Sequence, residues 1–191
     1  MSFPVGKQFI STQELHKVGY SNYKIRQMVG VGDLISVNRK WYENANYNGK
    51  INDFYAVPAY AEQGVICLIS AAVYYDLSSE RQNHIEVALP RNARIPESPN
   101  WPAMKFYRMT EPRYGIGIVD VDEDGNSFRI YDKEKTVCDV IYHRNKMGFE
   151  PAMEVLKRYV QRTDRDINRL ITYAKRLQVE TTIKQYLEAM L

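Results

Sequence analysis

Residues 10–32, ISTQELHKVGYSNYKIRQMVGVG, hold two helix starts with a helix stop between them, and this punctuation restricts the fold more than any other feature of the chain. Ser11 can cap a first helix, with Glu14 three residues later completing a capping box and Ile10 placed to staple onto Leu15. Gly19 ends that helix. Ser21 then caps a second, in which Ile25, Met28 and Val29 are spaced to share one face. Two short helices joined by a glycine-containing turn form a helix-turn-helix.

At 100° per residue, the face opposite Ile25, Met28 and Val29 carries Tyr23, Gln27 and Gly30, flanked by Lys24 and Arg26. Hydrogen-bonding side chains at the centre and cations at the edge suit a helix in a major groove: the centre reads base edges, the rim meets phosphates. GDLISVNRKWYE then reads as a two-stranded wing, with Leu34, Val37 and Trp41 on its apolar side and Arg39 and Lys40 near its tip. Ser11 and Thr12, at a helix start, are further candidates for a phosphate, although capping alone explains Ser11 equally well, and Ser21 and Asn22 complete the candidate DNA-binding residues. A plain helical hairpin with a solvated basic face is the competing reading.

Charge distribution points to the same end of the chain. The net charge is only +3. Yet residues 1–50 hold seven Lys/Arg against three Asp/Glu, while the remaining 141 hold nineteen against twenty. An apolar fraction of 45% argues for a folded protein. No run of eighteen apolar residues exists, and MSFPVGKQF lacks the features of a secretion signal, so a cytoplasmic location and no membrane association are expected. Cys67 and Cys138 sit among apolar neighbours without metal or redox spacing and read as core residues.

ENANYNGKIND, residues 43–53, reads as a linker. The expected domains are therefore 1–48 and 49–191. VICLISAAVYYDL is apolar nearly all round and reads as a buried helix in which Ser70 faces protein. HIEVALP and MKFYRM read as strands separated by a proline-rich loop, and GIGIVDV and SFRIY as two more around DEDGN. From Asp132 onward four helices are expected, closed or opened by Gly148 and Pro151. The last two carry Ile167, Leu170, Ile171, Ala174 and Leu177, then Ile183, Tyr186, Leu187, Met190 and Leu191 on their apolar faces. The fold class is thus α+β: a winged helix-turn-helix, then a mixed α/β domain ending in a helical bundle.

DVDEDGNSFRIYD imitates a calcium loop through Asp120, Asp122, Asp124 and Gly125, but position twelve is Tyr131 where a bidentate Glu is needed. An Asp-Gly hairpin turn explains it better. A magnesium nuclease site built from the same carboxylates with Asp132, Glu134 and Asp139 lacks a Lys at an obviously coupled spacing. Asp132 reads instead as a helix cap and Glu134 as a first-turn charge. His16, His84 and His143 are scattered, and neither GVG nor GIG is a nucleotide loop. No catalytic residue, metal or cofactor is expected.

The order of these parts resembles the AbiEi family, antitoxins of the AbiE abortive-infection system, which are type IV toxin–antitoxin pairs. The resemblance spans nearly the whole chain and is carried best by RIYDKEKTVCDVI, similar to the family's speRTlvD helix start, and by YAKRL followed by YLEAML. Lys135 stands where family members often have Arg, and the amino terminus is short. The resemblance implies a non-enzymatic, bifunctional protein: it represses its own operon at promoter inverted repeats in double-stranded DNA and counteracts a nucleotidyltransferase toxin, without requiring a stable complex. By matched position, Asn22–Val29 is the recognition helix and Arg39–Lys40 the wing. The expected state is a monomer that associates on DNA. The outward charges of the later helices, Arg158, Arg162, Arg165, Arg169, Lys175 and Arg176, would then form a surface for an acidic partner, although a solvated helix face explains such charges in most proteins. A winged-helix regulator with a ligand-sensing second domain is the alternative reading.

Overall fold

The computed structural model describes residues 6–190; the first five residues of MSFPVGKQF, and Leu191 of the last apolar face, lie outside them. The fold is mixed α+β and the chain divides into two compact units, the first running to Glu62 and taking in Asp120–Phe128, the second comprising Gln63–Val119 and the chain from Arg129. The break expected after residue 48 therefore falls inside the first unit. Its segment beyond that point forms a 3-10 turn (Asp53–Ala56) and the short helix α3 (Val57–Tyr60), with Tyr55, Ala56, Val57 and Ala59 buried.

In the first unit, β1 (Phe9–Ser11) leads into α1 (Thr12–Lys17) and α2 (Asn22–Val31), followed by β2 (Leu34–Ser36) and β3 (Trp41–Asn44). The strands form an antiparallel sheet in the order β1-β3-β2. The capping box forms as expected: Glu14 N donates to Ser11 Oγ, and Ser11 N donates back to the Glu14 carboxylate. Ser11 and Ser21 caps are each worth about 1 kcal/mol. Both helices end on a glycine in the left-handed region, Gly19 at φ 91° and Gly32 at φ 86°. Behind each, the next amide reaches back, Tyr20 N to Leu15 O and Asp33 N to Met28 O, which satisfies the last carbonyls and turns the chain sharply. Ile10, Leu15, Ile25, Met28 and Leu34 make the core of this unit, with Val29 at its margin.

The second sheet has the order β6-β5-β4-β8-β7, formed by β4 (Val65–Ile66), β5 (Ile85–Pro90), β6 (Met104–Met109), β7 (Ile118–Glu123) and β8 (Asn126–Tyr131). Here the sequence reading needs correction. Val65 and Ile66 are a strand, antiparallel to β5 and parallel to β8, and the helix α4 starts only at Leu68 and ends at Tyr74. A fully apolar run does not distinguish a central strand from a buried helix, and the β-branched pair sits where strands flank it on both sides. Ser70 does face protein: its hydroxyl donates to Gln82 and accepts from Glu86 N. β5 and β6 run parallel in register, Ile85 beside Met104, joined by the irregular proline-rich segment. Asp124 and Gly125 adopt the left-handed conformation of a two-residue hairpin turn between β7 and β8.

Four helices follow: α5 (Lys133–Met147), α6 (Phe149–Gln161), α7 (Ile167–Arg176) and α8 (Glu180–Glu188). Val137, Val140, Ile141, Val155, Leu156, Leu170, Ala174 and Ile183 share one core with Ile69 and Ala72 of α4. Both cysteines are buried and free. Among the described residues no helix is long and apolar enough to cross a membrane.

Candidate functional site

The exposed side of α2 follows from its cap and its apolar spacing. With Ile25 and Met28 inward, Tyr23, Lys24, Arg26, Gln27 and Gly30 are exposed, and Tyr23 keeps 66% of its surface in solvent. Gln27 Nε2 donates to Tyr23 Oη at 3.1 Å, one helical turn away, so the two side chains present a joined polar edge. Arg26 Nε leans back to Asn22 O at 3.3 Å, while Asn22 Oδ1 and His16 Nε2 meet at 2.9 Å and tie α2 to α1. Ser21 is engaged as the cap, accepting from Lys24 N.

Ser11 and Thr12 have internal partners. The Ser11 hydroxyl donates to Glu14, which also pairs with Lys7. Thr12 directs both its amide and its hydroxyl to Lys40 O, at 2.7 and 3.1 Å, so the start of α1 is fastened to the turn between β2 and β3. Burial works to raise the Glu14 carboxyl, but Lys7 and the Ser11 donors outweigh it and hold it below its usual range.

Arg39 and Lys40 are exposed in that turn, while Leu34 reaches the core and Val37 and Trp41 are half-buried. The residue that shapes the turn is Asn38. Its Oδ1 accepts from Lys40 N at 2.9 Å and Trp41 N at 3.1 Å, and its Nδ2 donates to Ala59 O at 2.8 Å. Sequence reasoning passed over it, although an Asn ahead of two cations in a turn is the signal of such a side-chain-to-backbone bond. Asn126 is a second such residue, accepting from Gln8 N at 2.7 Å and donating to Gly6 O at 3.2 Å. No local pattern links positions that far apart.

The basic residues of the second unit are less free than their sequence suggests. Arg158 pairs with Glu154 at 2.8 Å, Arg162 with Asp164 at 2.7 Å, Arg169 with Asp166 at 3.6 Å, and Lys175 with Glu180 at 4.0 Å. Asp164, shared by Arg162 and Lys133, has its carboxyl held well below the usual range, first by the hydrogen bond from Arg162. Exposed pairs of this kind add little stability, and they reduce the outward positive charge. Arg165 and Arg176 form no ion pair among the described residues. Arg176 instead borders a cleft with Glu111, Ile116 and Tyr173.

The carboxylates once considered for a metal site have other employment. Asp132 caps α5 through Lys135 N at 2.8 Å and accepts from Tyr173 Oη at 3.1 Å. Burial pushes its carboxyl up. Glu134 lies in the first turn of α5, as its position suggests, and is buried there, accepting from Tyr159 Oη at 2.9 Å. Contrary to the sequence reading, a Lys is coupled to this set: Lys135 pairs with Asp139 four residues on, both fully buried. Arg113 Nη1 holds the other Asp139 oxygen at 2.7 Å and Nη2 reaches Leu177 O at 2.8 Å, past the end of α7. Lys135 and Asp139, at the two ends of the KTVCD run, are therefore the two members of a buried ion pair. Among the described residues no group of three or more His, Cys, Asp or Glu is placed to hold a metal ion. No model of a known protein family matches the chain, and no curated protein matches it.

Proposed function

We propose that the first unit is a winged helix-turn-helix that binds double-stranded DNA, and that the chain is an antitoxin of the AbiEi kind, repressing its own operon at inverted repeats and counteracting a nucleotidyltransferase toxin. The observation that carries the DNA half is the α2 surface: Tyr23 and Gln27 joined at its centre, Lys24 and Arg26 beside them, and no apolar neighbour covering any of the four. In this reading α2 lies in a major groove. Gln27 makes the base-edge bonds that its paired donor and acceptor allow, and Lys24 and Arg26 neutralise phosphates. Arg39 and Lys40, held in a turn that Asn38 and Thr12 fix, add backbone contacts from the wing. Thr12, Ser11, Ser21 and Asn22 act by building this surface, since their polar atoms are already engaged within the protein.

The antitoxin half rests on the resemblance. Arg165 and Arg176, which have no carboxylate partner among the described residues, are its best candidates for meeting an acidic toxin surface, with Arg169 between them in sequence. Coexpression with an adjacent nucleotidyltransferase-like gene tests it. The wild-type chain should rescue growth, and reversal of Arg165, Arg169 and Arg176 to Glu should abolish rescue while leaving DNA binding intact. Rescue by the reversed protein would remove this surface from the account.

One observation favours the second reading, a regulator with a ligand-sensing second unit: the cleft between Glu111, Ile116, Tyr173 and Arg176 has a volume near 340 Å³ and offers a carboxylate, a phenol and a guanidinium. A metabolic operon beside the gene, and operator release by a small molecule, would support that reading over the antitoxin.

A further inference from the structure

Helix α6 presents two faces. Ala152, Val155, Leu156 and Tyr159 are buried in the core of the second unit. The opposite face forms an open groove of roughly 570 Å³ lined by Phe149, Glu150, Met153, Glu154, Lys157 and Arg158. Phe149, at 56% exposure, is a large apolar side chain left in solvent, its ring edge-on to Tyr186 at 5.8 Å. Along this face Glu150 lies toward the amino end and Lys157 toward the carboxyl end, with the apolar pair Phe149 and Met153 beside them, while Glu154 between them is taken up by Arg158, Ser78 and Ser79.

We propose that this face of α6 is a self-association surface, occupied by the same helix of a second copy running antiparallel across a two-fold axis near Met153 and Glu154. Such an axis places Glu150 opposite the partner's Lys157 and Lys157 opposite the partner's Glu150, because a two-fold interface pairs each residue reciprocally. Glu150 and Lys157 are seven residues and two turns apart, so both point the same way. Phe149 falls opposite the partner's Arg158, within the reach of a cation–π contact.

The charge order selects this occupant. A parallel copy would set acid against acid and base against base. A uniformly acidic or basic partner would be attracted at one end and repelled at the other. An antiparallel copy of the same helix satisfies both ends together. A helix of 13 residues spans about 20 Å, which is short for a permanent dimer, so the association is weak and driven by concentration. The inference stands apart from the DNA-binding reading. If both hold, dimerisation brings two α2 surfaces into one particle.

The test is the mass of the full chain in solution, measured by sedimentation or light scattering from micromolar to near-millimolar concentration. The wild type should rise from 22.3 kDa toward twice that mass. Glu150→Lys alone and Lys157→Glu alone should each remain monomeric, with the dissociation constant raised about tenfold or more. An equimolar mixture of the two variants should regain the dimer, because Lys now faces Glu at both ends; two misfolded proteins could not do this. If either reversal disturbs the circular dichroism of the helices, Glu150→Gln and Lys157→Gln should each weaken the dimer. A constant monomer mass, a dimer indifferent to the reversals, or a mixture that stays monomeric would overturn the proposal.

Discussion

Asp139 is the pivot of the buried charge network, and its removal should cost far more than removal of either cation. Its two oxygens hold Lys135 and Arg113; Lys135 is fully buried and Arg113 retains only 15% of its side-chain surface. In Asp139→Asn the counter-charge vanishes and leaves an uncompensated ammonium in the core, a change that typically destabilises by about 3–5 kcal/mol. In Lys135→Met the carboxylate keeps its Arg113 partner at 2.7 Å, and the methionine fills the space of the lysine stem beside Tyr131. What is lost is one charged hydrogen bond and a cation–π contact, on the order of 1–2 kcal/mol. Urea unfolding followed by far-ultraviolet circular dichroism, which reads helices α5–α8, measures both. The reasoning fails if Lys135→Met is as damaging as Asp139→Asn, or if Asp139→Asn leaves the midpoint unmoved.

Three further outcomes are expected. Gln27→Ala should relax base choice by about 1–3 kcal/mol, whereas Lys24→Ala should weaken binding to every sequence and make the salt dependence shallower by about one unit of slope, both readable in gel-shift titrations at two salt concentrations. Asn38→Ala removes the acceptor for Lys40 N and Trp41 N, so those amides should exchange faster with solvent and DNA affinity should fall, while Asn38→Asp, which keeps that acceptor but loses the donor to Ala59 O, should retain only part of the protection. Glu14 has a carboxyl lowered from its ordinary value of 4.5 despite the opposing effect of burial. Its stabilising contribution is complete above that value and is lost as pH falls through the lower folded one. Thermal melts from pH 6 to pH 3 should therefore show a decline in the wild type that Glu14→Gln flattens.

What could be read from the sequence follows a physical division. The caps at Ser11, Ser21 and Asp132, the glycine stops and the inward positions Ile25, Met28, Leu170 and Ile183 are set by neighbours within a few residues, and they appear where spacing puts them. Val65 and Ile66 were misread because their state depends on β5 and β8, strands remote in the chain. The same limit hid the role of Asn126 at β1 and of Arg113 at Asp139. The exposed face of α2 was legible because a helix with one apolar stripe leaves no choice about the other side. That Thr12 serves the fold was not, since Lys40 O meets Thr12 only once the β2–β3 hairpin has formed.

The DNA-binding proposal requires the Tyr23/Gln27 side of α2 to enter the duplex. Its most direct test is fluorescence anisotropy of the full chain on a labelled duplex from upstream of its own gene, since a fragment ending near residue 50 would lack the Asp120–Phe128 segment of the first unit. The wild type should bind tightly and salt-sensitively at low ionic strength, and the folded Tyr23→Ala/Gln27→Ala protein should lose that binding together with its preference over unrelated DNA. No binding by the wild type, or identical curves for the two proteins, would contradict it.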